Sequence, residues 1–117
     1  MPSFTIIARV ELHKDDARKQ QHPTSASEYT TLHAEMSKRG FKRFFNGASG
    51  KMRKLPPGEY RIEQSGADGD AASEAALNKI KAAATIATSK DRFSAVLTCN
   101  DRINSWALEV ITEDPDV

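Results

Sequence analysis

Residues 3–13 read SFTIIARVELH and alternate between two kinds of side chain, as a half-buried β-strand does. One face carries the apolar set, Phe4, Ile6, Ala8, Val10 and Leu12, and the other carries the mostly polar set, Thr5, Ile7, Arg9, Glu11 and His13. The pattern predicts a strand with its first face on a core and its second face directed outward.

A helix is predicted after the polar segment 14–26, which is typical of a loop. The residues Ser25-Ala26-Ser27-Glu28 match a capping box, in which serine and glutamate bond the first free amides of a helix. Tyr29, Leu32, His33 and Met36 then recur at helical spacing, and Gly40 is a suitable stop. We therefore expect a helix from about Ser25 to Gly40.

The rest of the chain predicts two strands, the second of them interrupted, then a helix and two further strands. The first strand is expected at 41–45, and the second pairs back over 51–55, is interrupted at Pro56-Pro57-Gly58 and resumes over 59–64. The helix is expected from a cap at Asp70 to about Thr88, and the last strands at 93–99 and around Trp106, Leu108 and Val110. This order is βαββαβ with an added carboxyl-terminal strand. It predicts a ferredoxin-like α+β sandwich, with two helices on one face of an antiparallel sheet. We expect a single domain over 1–112, followed by an acidic tail over 113–117.

Composition narrows the class of protein. Of the 117 residues, 38% are hydrophobic and 28% are charged, as in a folded globular domain. No apolar run reaches the length of a membrane helix, and the amino terminus lacks a signal-peptide pattern. The single cysteine, Cys99, cannot form an internal disulfide. We expect no membrane partner and a cytoplasmic location.

The charge is distributed unevenly although its sum is only +1. Residues 1–61 carry 12 cations and 6 acids, whereas residues 62–117 carry 5 cations and 10 acids. The segment 38–54 holds seven cations and no acid, and such a density attracts polyanions. These cations, predicted to bind RNA on one shared solvent-facing surface, are Lys38, Arg39, Lys42, Arg43, Lys51, Arg53 and Lys54.

The available chemistry is acid–base chemistry without a metal or cofactor. The chain has no phosphate-binding P-loop and no dinucleotide fingerprint, and its histidines, at 13, 22 and 33, lack zinc-site spacing. RNA cleaves itself when one group removes the 2′-hydroxyl proton and cations stabilise the developing charge. His33, His13 and Arg9 are the candidate catalytic residues. The alternatives are a structural histidine at the core margin for His33 and a solvated strand end for His13.

Several strings together resemble the GhoS-type antitoxins, a group of small bacterial proteins. The resemblance spans about residues 4–108 and rests on Phe4-Thr5, Arg9–His13, Tyr29–Met36, Gly40–Arg43, Leu55-Pro56, Glu59-Tyr60, Lys79–Ala84, Phe93–Leu97 and Trp106. The loop 14–26 and the acidic residues 113–116 look like additions to the family pattern.

The resemblance implies a ferredoxin-like fold similar to that of small CRISPR-associated nucleases. It also implies the function of a type V antitoxin, an endoribonuclease that cleaves the messenger RNA of a small membrane toxin. The sequence-based hypothesis is therefore an RNA-binding endoribonuclease antitoxin whose partner is toxin mRNA. The alternative is a non-catalytic binding module, in which the open sheet face or the hairpin around Trp106 forms a homodimer or binds another partner.

Overall fold

The computed structural model describes residues 1–47, 49–100 and 107–116, which form a mixed α+β fold. Its elements, in chain order, are β1 (Ser3–Leu12), α1 (Ser27–Lys38), β2 (Phe44–Asn46), β3 (Met52–Lys54), β4 (Glu59–Ser65), α2 (Gly69–Ala87), β5 (Phe93–Asn100) and β6 (Val110–Ile111). The helices and most strands follow the predicted order, but residues 51–64, expected as one interrupted strand, form two separate strands, β3 and β4. Trp106, which we expected in the last strand, lies outside the described residues.

The first sheet is antiparallel and has β1 between β4 and β5. Ala8 at the middle of β1 pairs with Tyr60 on one side and with Leu97 on the other. Ile6, Ala8, Val10 and Leu12 are fully buried, whereas Arg9 is exposed. The alternation predicted for residues 3–13 therefore sets which face of this sheet is covered.

The core lies between the covered face of the first sheet and the two helices. Helix α1 contributes Tyr29, Leu32 and Met36, all fully buried as predicted. Helix α2 contributes mostly small side chains, which are Ala72, Ala76, Ile80, Ala83, Ala84 and Ala87. Small residues let the helix approach its neighbours closely, and burial of the apolar surface supplies most of the folding free energy.

A second small sheet corrects the expectation of one antiparallel sheet. Strands β2, β3 and β6 form it. An isolated bridge between Lys42 and Arg61, and a hydrogen bond from Arg61 Nε to the Phe44 carbonyl at 3.1 Å, connect this region to β4. The reason lies in residues 56–58, where two prolines lack an amide proton and Gly58 adopts a positive φ of 86°. The chain therefore leaves the β3 ladder before it enters β4.

Both predicted helix caps are displaced: the first cap lies one residue after Ser25 and the second lies two residues before Asp70. The Ala26 amide donates to the Pro23 carbonyl at 2.9 Å, so Ser25 lies in a turn and Ala26 takes the cap position. At the second helix the carboxylate of Asp68, rather than that of Asp70, accepts a hydrogen bond from the Ala71 amide at 2.8 Å. Spacing alone does not distinguish neighbouring cap candidates.

The loop between β1 and α1 is fastened to the segment that precedes β5. Arg18 donates to the carbonyls of Asp91 and Phe93 at 2.8 and 2.9 Å. In return, Arg92 donates to the carboxylate of Asp16 at 2.8 Å. Residues 14–26 are a loop as predicted, but they are tied down at their tip.

Neither helix within the described ranges combines the length and the apolar character that crossing a bilayer requires.

Candidate functional site

His33 lies on α1 at the point where the helix faces strand β4. Its Nδ1 is 2.7 Å from the hydroxyl of Tyr60, and the two ring centroids are 5.8 Å apart. Tyr60 is fully buried on the covered face of the sheet, so it contacts the imidazole from the core side. The ring of Tyr29, one helical turn earlier, lies 6.3 Å from that of His33. The imidazole is therefore held in one orientation by two aromatic neighbours.

The surroundings of His33 favour the neutral imidazole. Burial lowers the pKa of His33 to about 4, with Arg43 and Lys54 acting in the same direction and Asp116 opposing them. Burial raises the pKa of Tyr60, whose hydroxyl therefore keeps its proton at neutral pH. When His33 Nδ1–H donates to Tyr60, the lone pair of Nε2 is directed elsewhere and is available to accept a proton.

Arg43, which follows the Lys42–Arg61 bridge, is held by the acidic tail. Its Nη2 and Nε atoms donate to the Asp116 carboxylate at 2.7 and 3.0 Å, in a two-pronged arrangement. The two side chains are 18% and 11% exposed, so the pair is shielded from bulk water. Lys42 Nζ lies 3.5 Å from Asp114, and the Asp116 amide donates to the Asp114 carboxylate at 2.8 Å. The tail thus brings two carboxylates onto two of the predicted RNA-binding cations.

Two more predicted RNA-binding cations share a carboxylate on their own helix turn. Lys38 and Arg39 lie 2.9 and 3.0 Å from Glu35, and their hydrogen bonds lower the pKa of that carboxyl, against the opposing effect of burial. Such ion pairs on a helix surface add little stability but reduce the local positive field.

The remaining predicted cations have no carboxylate partner among the described residues. These are Lys51, Arg53 and Lys54. Arg53 donates instead to the carbonyl of Leu108 at 3.1 Å, and Lys51 is exposed at the turn between β2 and β3. The seven cations therefore do not form a uniformly unpaired surface, because four of them contact carboxylates.

His13 is not a solvated strand end. It is only 5% exposed, and its Nε2 lies 3.0 Å from the hydroxyl of Ser94. Its Nδ1 is buried and has no hydrogen-bond partner among the described residues. His13 therefore occupies a buried position beside Ser94.

Arg9 and His33 are not brought together. Arg9 lies on the outward face of β1 with its side chain 53% exposed, and it contacts Glu11 at 3.2 Å. His33 lies on the helix-covered side of the same sheet, against Tyr60. The three predicted catalytic residues therefore occupy three separate environments. Two predicted cations, Arg43 and Lys54, act on one of the three, because they help to lower the pKa of His33.

Sequence reasoning missed Tyr60 and Asp116. Tyr60 looks like an ordinary inward-facing strand residue, and Asp116 looks like part of a polar tail. One sequence feature could have indicated a role for Asp116. The acidic residues 113–116 have a charge opposite to that of the basic first half of the chain, so attraction between the two is expected.

Within the parts of the chain that are described, no three side chains among histidine, cysteine, aspartate and glutamate converge as a metal site would require. No family model matches this chain, and no similar protein was found among the curated proteins or the solved structures.

Proposed function

We propose that this protein is an RNA-binding endoribonuclease that cleaves without a metal ion, with His33 as its proton acceptor. The observation that carries the proposal is a neutral imidazole, held through Nδ1 by a buried tyrosine, in the neighbourhood of Arg43 and Lys54. A neutral imidazole accepts a proton, and the cations attract the phosphate that must lie next to it.

The reaction is an attack by a 2′-hydroxyl of RNA on the adjacent phosphorus. Nε2 of His33 takes the hydroxyl proton as the 2′-oxygen–phosphorus bond forms. The bond from phosphorus to the 5′-oxygen breaks, and that oxygen takes a proton from solvent, which leaves a 2′,3′-cyclic phosphate and a 5′-hydroxyl. Arg43 and Lys54 stabilise the negative charge that gathers on the phosphate oxygens. No metal or other cofactor takes part in this scheme.

Tyr60 acts as a positioning residue in this scheme. When its hydroxyl accepts a hydrogen bond from Nδ1–H, it supports the tautomer in which Nε2 is the base. Its phenol stays protonated at neutral pH because burial raises its pKa. The phosphate of a bound RNA would bring negative charge close to His33 and raise the pKa of the imidazole from about 4, making it a better base.

The biological setting of the proposal comes from the resemblance to the GhoS-type antitoxins. In that setting the substrate is the messenger RNA of a small membrane toxin, and the protein acts in the cytoplasm, where that RNA is found. The chain is then a type V antitoxin that works by destroying an RNA.

A ferredoxin-like arrangement is part of the same proposal. The Lys42–Arg61 bridge adds a fourth position beside β4, which gives the antiparallel order 42, β4, β1, β5. This is the order that a split βαβ domain requires, with the strand at residue 42 reduced to a single bridge.

The test is incubation of the purified protein with labelled single-stranded RNA in EDTA. We expect cleavage that His33→Asn abolishes, because asparagine keeps a contact to Tyr60 but cannot accept the proton. The matched control is His22→Ala. His22 lies outside the proposed site, where its Nδ1 is 3.9 Å from the Glu28 carboxylate. We also expect kcat/KM to rise through a pKa of about 4 and to stay level at neutral pH. Unchanged cleavage by His33→Asn would refute the assignment.

A non-catalytic binding module is the second candidate. It is favoured by Val96, which is 62% exposed on the outer strand of the first sheet and pairs with the exposed Arg9. Binding of RNA without cleavage, or a concentration-dependent dimer that Val96→Lys disrupts, would support this second function.

A further inference from the structure

We propose that Arg43 and Lys42 form a phosphate-binding site which the acidic tail occupies in this structure, so that residues 113–116 compete internally with the ligand. The inference rests on the proposed function for the identity of the ligand, RNA, and goes beyond it by assigning a role to the tail.

The geometry of the Arg43–Asp116 pair is that of anion recognition. A guanidinium presents its N–H groups in a planar fork that fits two oxygens, whether these belong to a carboxylate or to a phosphate. Three donor–acceptor distances between the two side chains lie between 2.7 and 3.1 Å. The carboxylate of Asp116 therefore stands where two oxygens of a phosphodiester would bind.

The position of the pair connects the tail to the proposed catalytic residue. Arg43 and Asp116 both lie close enough to His33 to shift its pKa, in opposite directions. A phosphate that replaced Asp116 on Arg43 would then act on the imidazole of His33 through its negative charge, in the same direction as Asp116 does. While Asp116 occupies the guanidinium, the same place is closed to RNA.

The tail is attached in a way that allows exchange. Between β6 and residue 116 it forms no further strand, and its second ion pair, Lys42–Asp114, is 3.5 Å long with the lysine 41% exposed. A tethered competitor acts at a high effective concentration, so it suppresses weak anions and yields to a polyanion that makes several contacts at once.

The experiment compares two double variants that each remove two negative charges from residues 109–116. Asp114→Asn with Asp116→Asn frees the two cations, whereas Glu109→Gln with Glu113→Gln changes two exposed side chains that have no ion pair among the described residues. RNA affinity should rise about 10-fold in the first variant at about 50 mM salt, and the gain should shrink as salt rises. The RNA affinity of the second variant should lie within about 2-fold of the wild-type affinity.

Inorganic phosphate separates this inference from the proposed function. In the Asp114→Asn, Asp116→Asn variant, phosphate should shift the NMR signal of the Arg43 Nε–H group, and sodium chloride at equal ionic strength should not. Phosphate binding without RNA binding would overturn the proposed function and leave the anion site standing. Absence of phosphate binding, or equal RNA affinity in both double variants, would overturn the inference.

A measurement on the wild type covers the case in which that variant fails to fold. The Asp116 amide donates to the Asp114 carboxylate while the tail is docked. RNA should therefore shift the Asp116 amide signal in proportion to occupancy. RNA binding that leaves this signal unchanged would also overturn the inference.

Discussion

The two sheets of this protein are stabilised in different ways. The first sheet packs four fully buried β1 side chains against two helices, and its ten-residue central strand has partners on both sides. The second sheet has strands of three, three and two residues, and ion pairs from the acidic tail hold the chain beside it. The first sheet depends on apolar burial, which salt strengthens or leaves unchanged, whereas the second depends on charges, which salt screens.

The largest expected effect is in the first sheet. Ile6→Ala should lower the free energy of unfolding by about 2–5 kcal/mol, because it leaves a cavity in a fully packed core. Ile7→Ala, one residue further on the outward face, should cost below about 1.5 kcal/mol. Urea denaturation of both variants measures the difference. Similar losses of unfolding free energy in the two variants would contradict the packing of the helices against the face of β1 that carries Ile6.

A smaller effect is expected where the tail meets the region of the second sheet. Asp116→Asn should cost about 1–3 kcal/mol at low salt, because Arg43 loses a charged acceptor while remaining largely shielded from water. Glu113→Gln, in the same segment but exposed, is the control and should change stability by less than about 0.5 kcal/mol. The difference should narrow in high salt. If the two variants are equally stable in urea at low salt, the tail does not stabilise this region.

The smallest expected effect is a pH dependence at His33, between the two regions. The pKa of His33 is lowered to about 4 in the folded protein from an ordinary value near 6.5, so the unfolded chain binds the proton more readily. The stability contributed by neutral His33 is complete above about pH 6.5 and is lost as the pH falls towards 4. After allowance for solvent screening, we expect a loss of about 1–2 kcal/mol across that window.

The comparison for this pH effect is His33→Asn, which cannot titrate. Urea midpoints measured from pH 4 to 7 should fall more steeply in the wild type than in the variant. Parallel curves would mean that His33 titrates in the folded protein as it does in the unfolded chain.

The same contrast between the sheets explains what could be predicted from the sequence. The covered face of β1 and the buried face of α1 follow from periods of two and about 3.6 residues, which local sequence displays directly. The His33–Tyr60 contact joins residues 27 positions apart, and the Arg43–Asp116 pair joins residues 73 positions apart. No local pattern reports such pairs.

The sequence predicts which types of residue belong to the candidate site, but it does not predict how they are arranged. The chemistry of their side chains predicts roles for His33 and Arg43, but alternation along β1 predicts that His13 lies with Arg9 on a solvated face. His13 is buried instead and bonds the Ser94 hydroxyl, because the chain that follows β1 folds back beside it, with a bridge from His13 to Gln21. Burial by a loop depends on the path of that loop, which the strand pattern does not contain.

Side-chain hydrogen bonds join the loop after β1 to the residues around the start of β5, and they affect where β5 can open locally. Arg18 and Arg92 cross this junction in opposite directions, so the Phe93 end of β5 is secured by side chains as well as by its ladder. The Phe93 amide proton should exchange with deuterated solvent more slowly than that of Val96, which is in the ladder to β1 but has a 62% exposed side chain. Local opening of this edge strand is therefore expected to begin at its middle and at the end away from Phe93, and to reach Phe93 last.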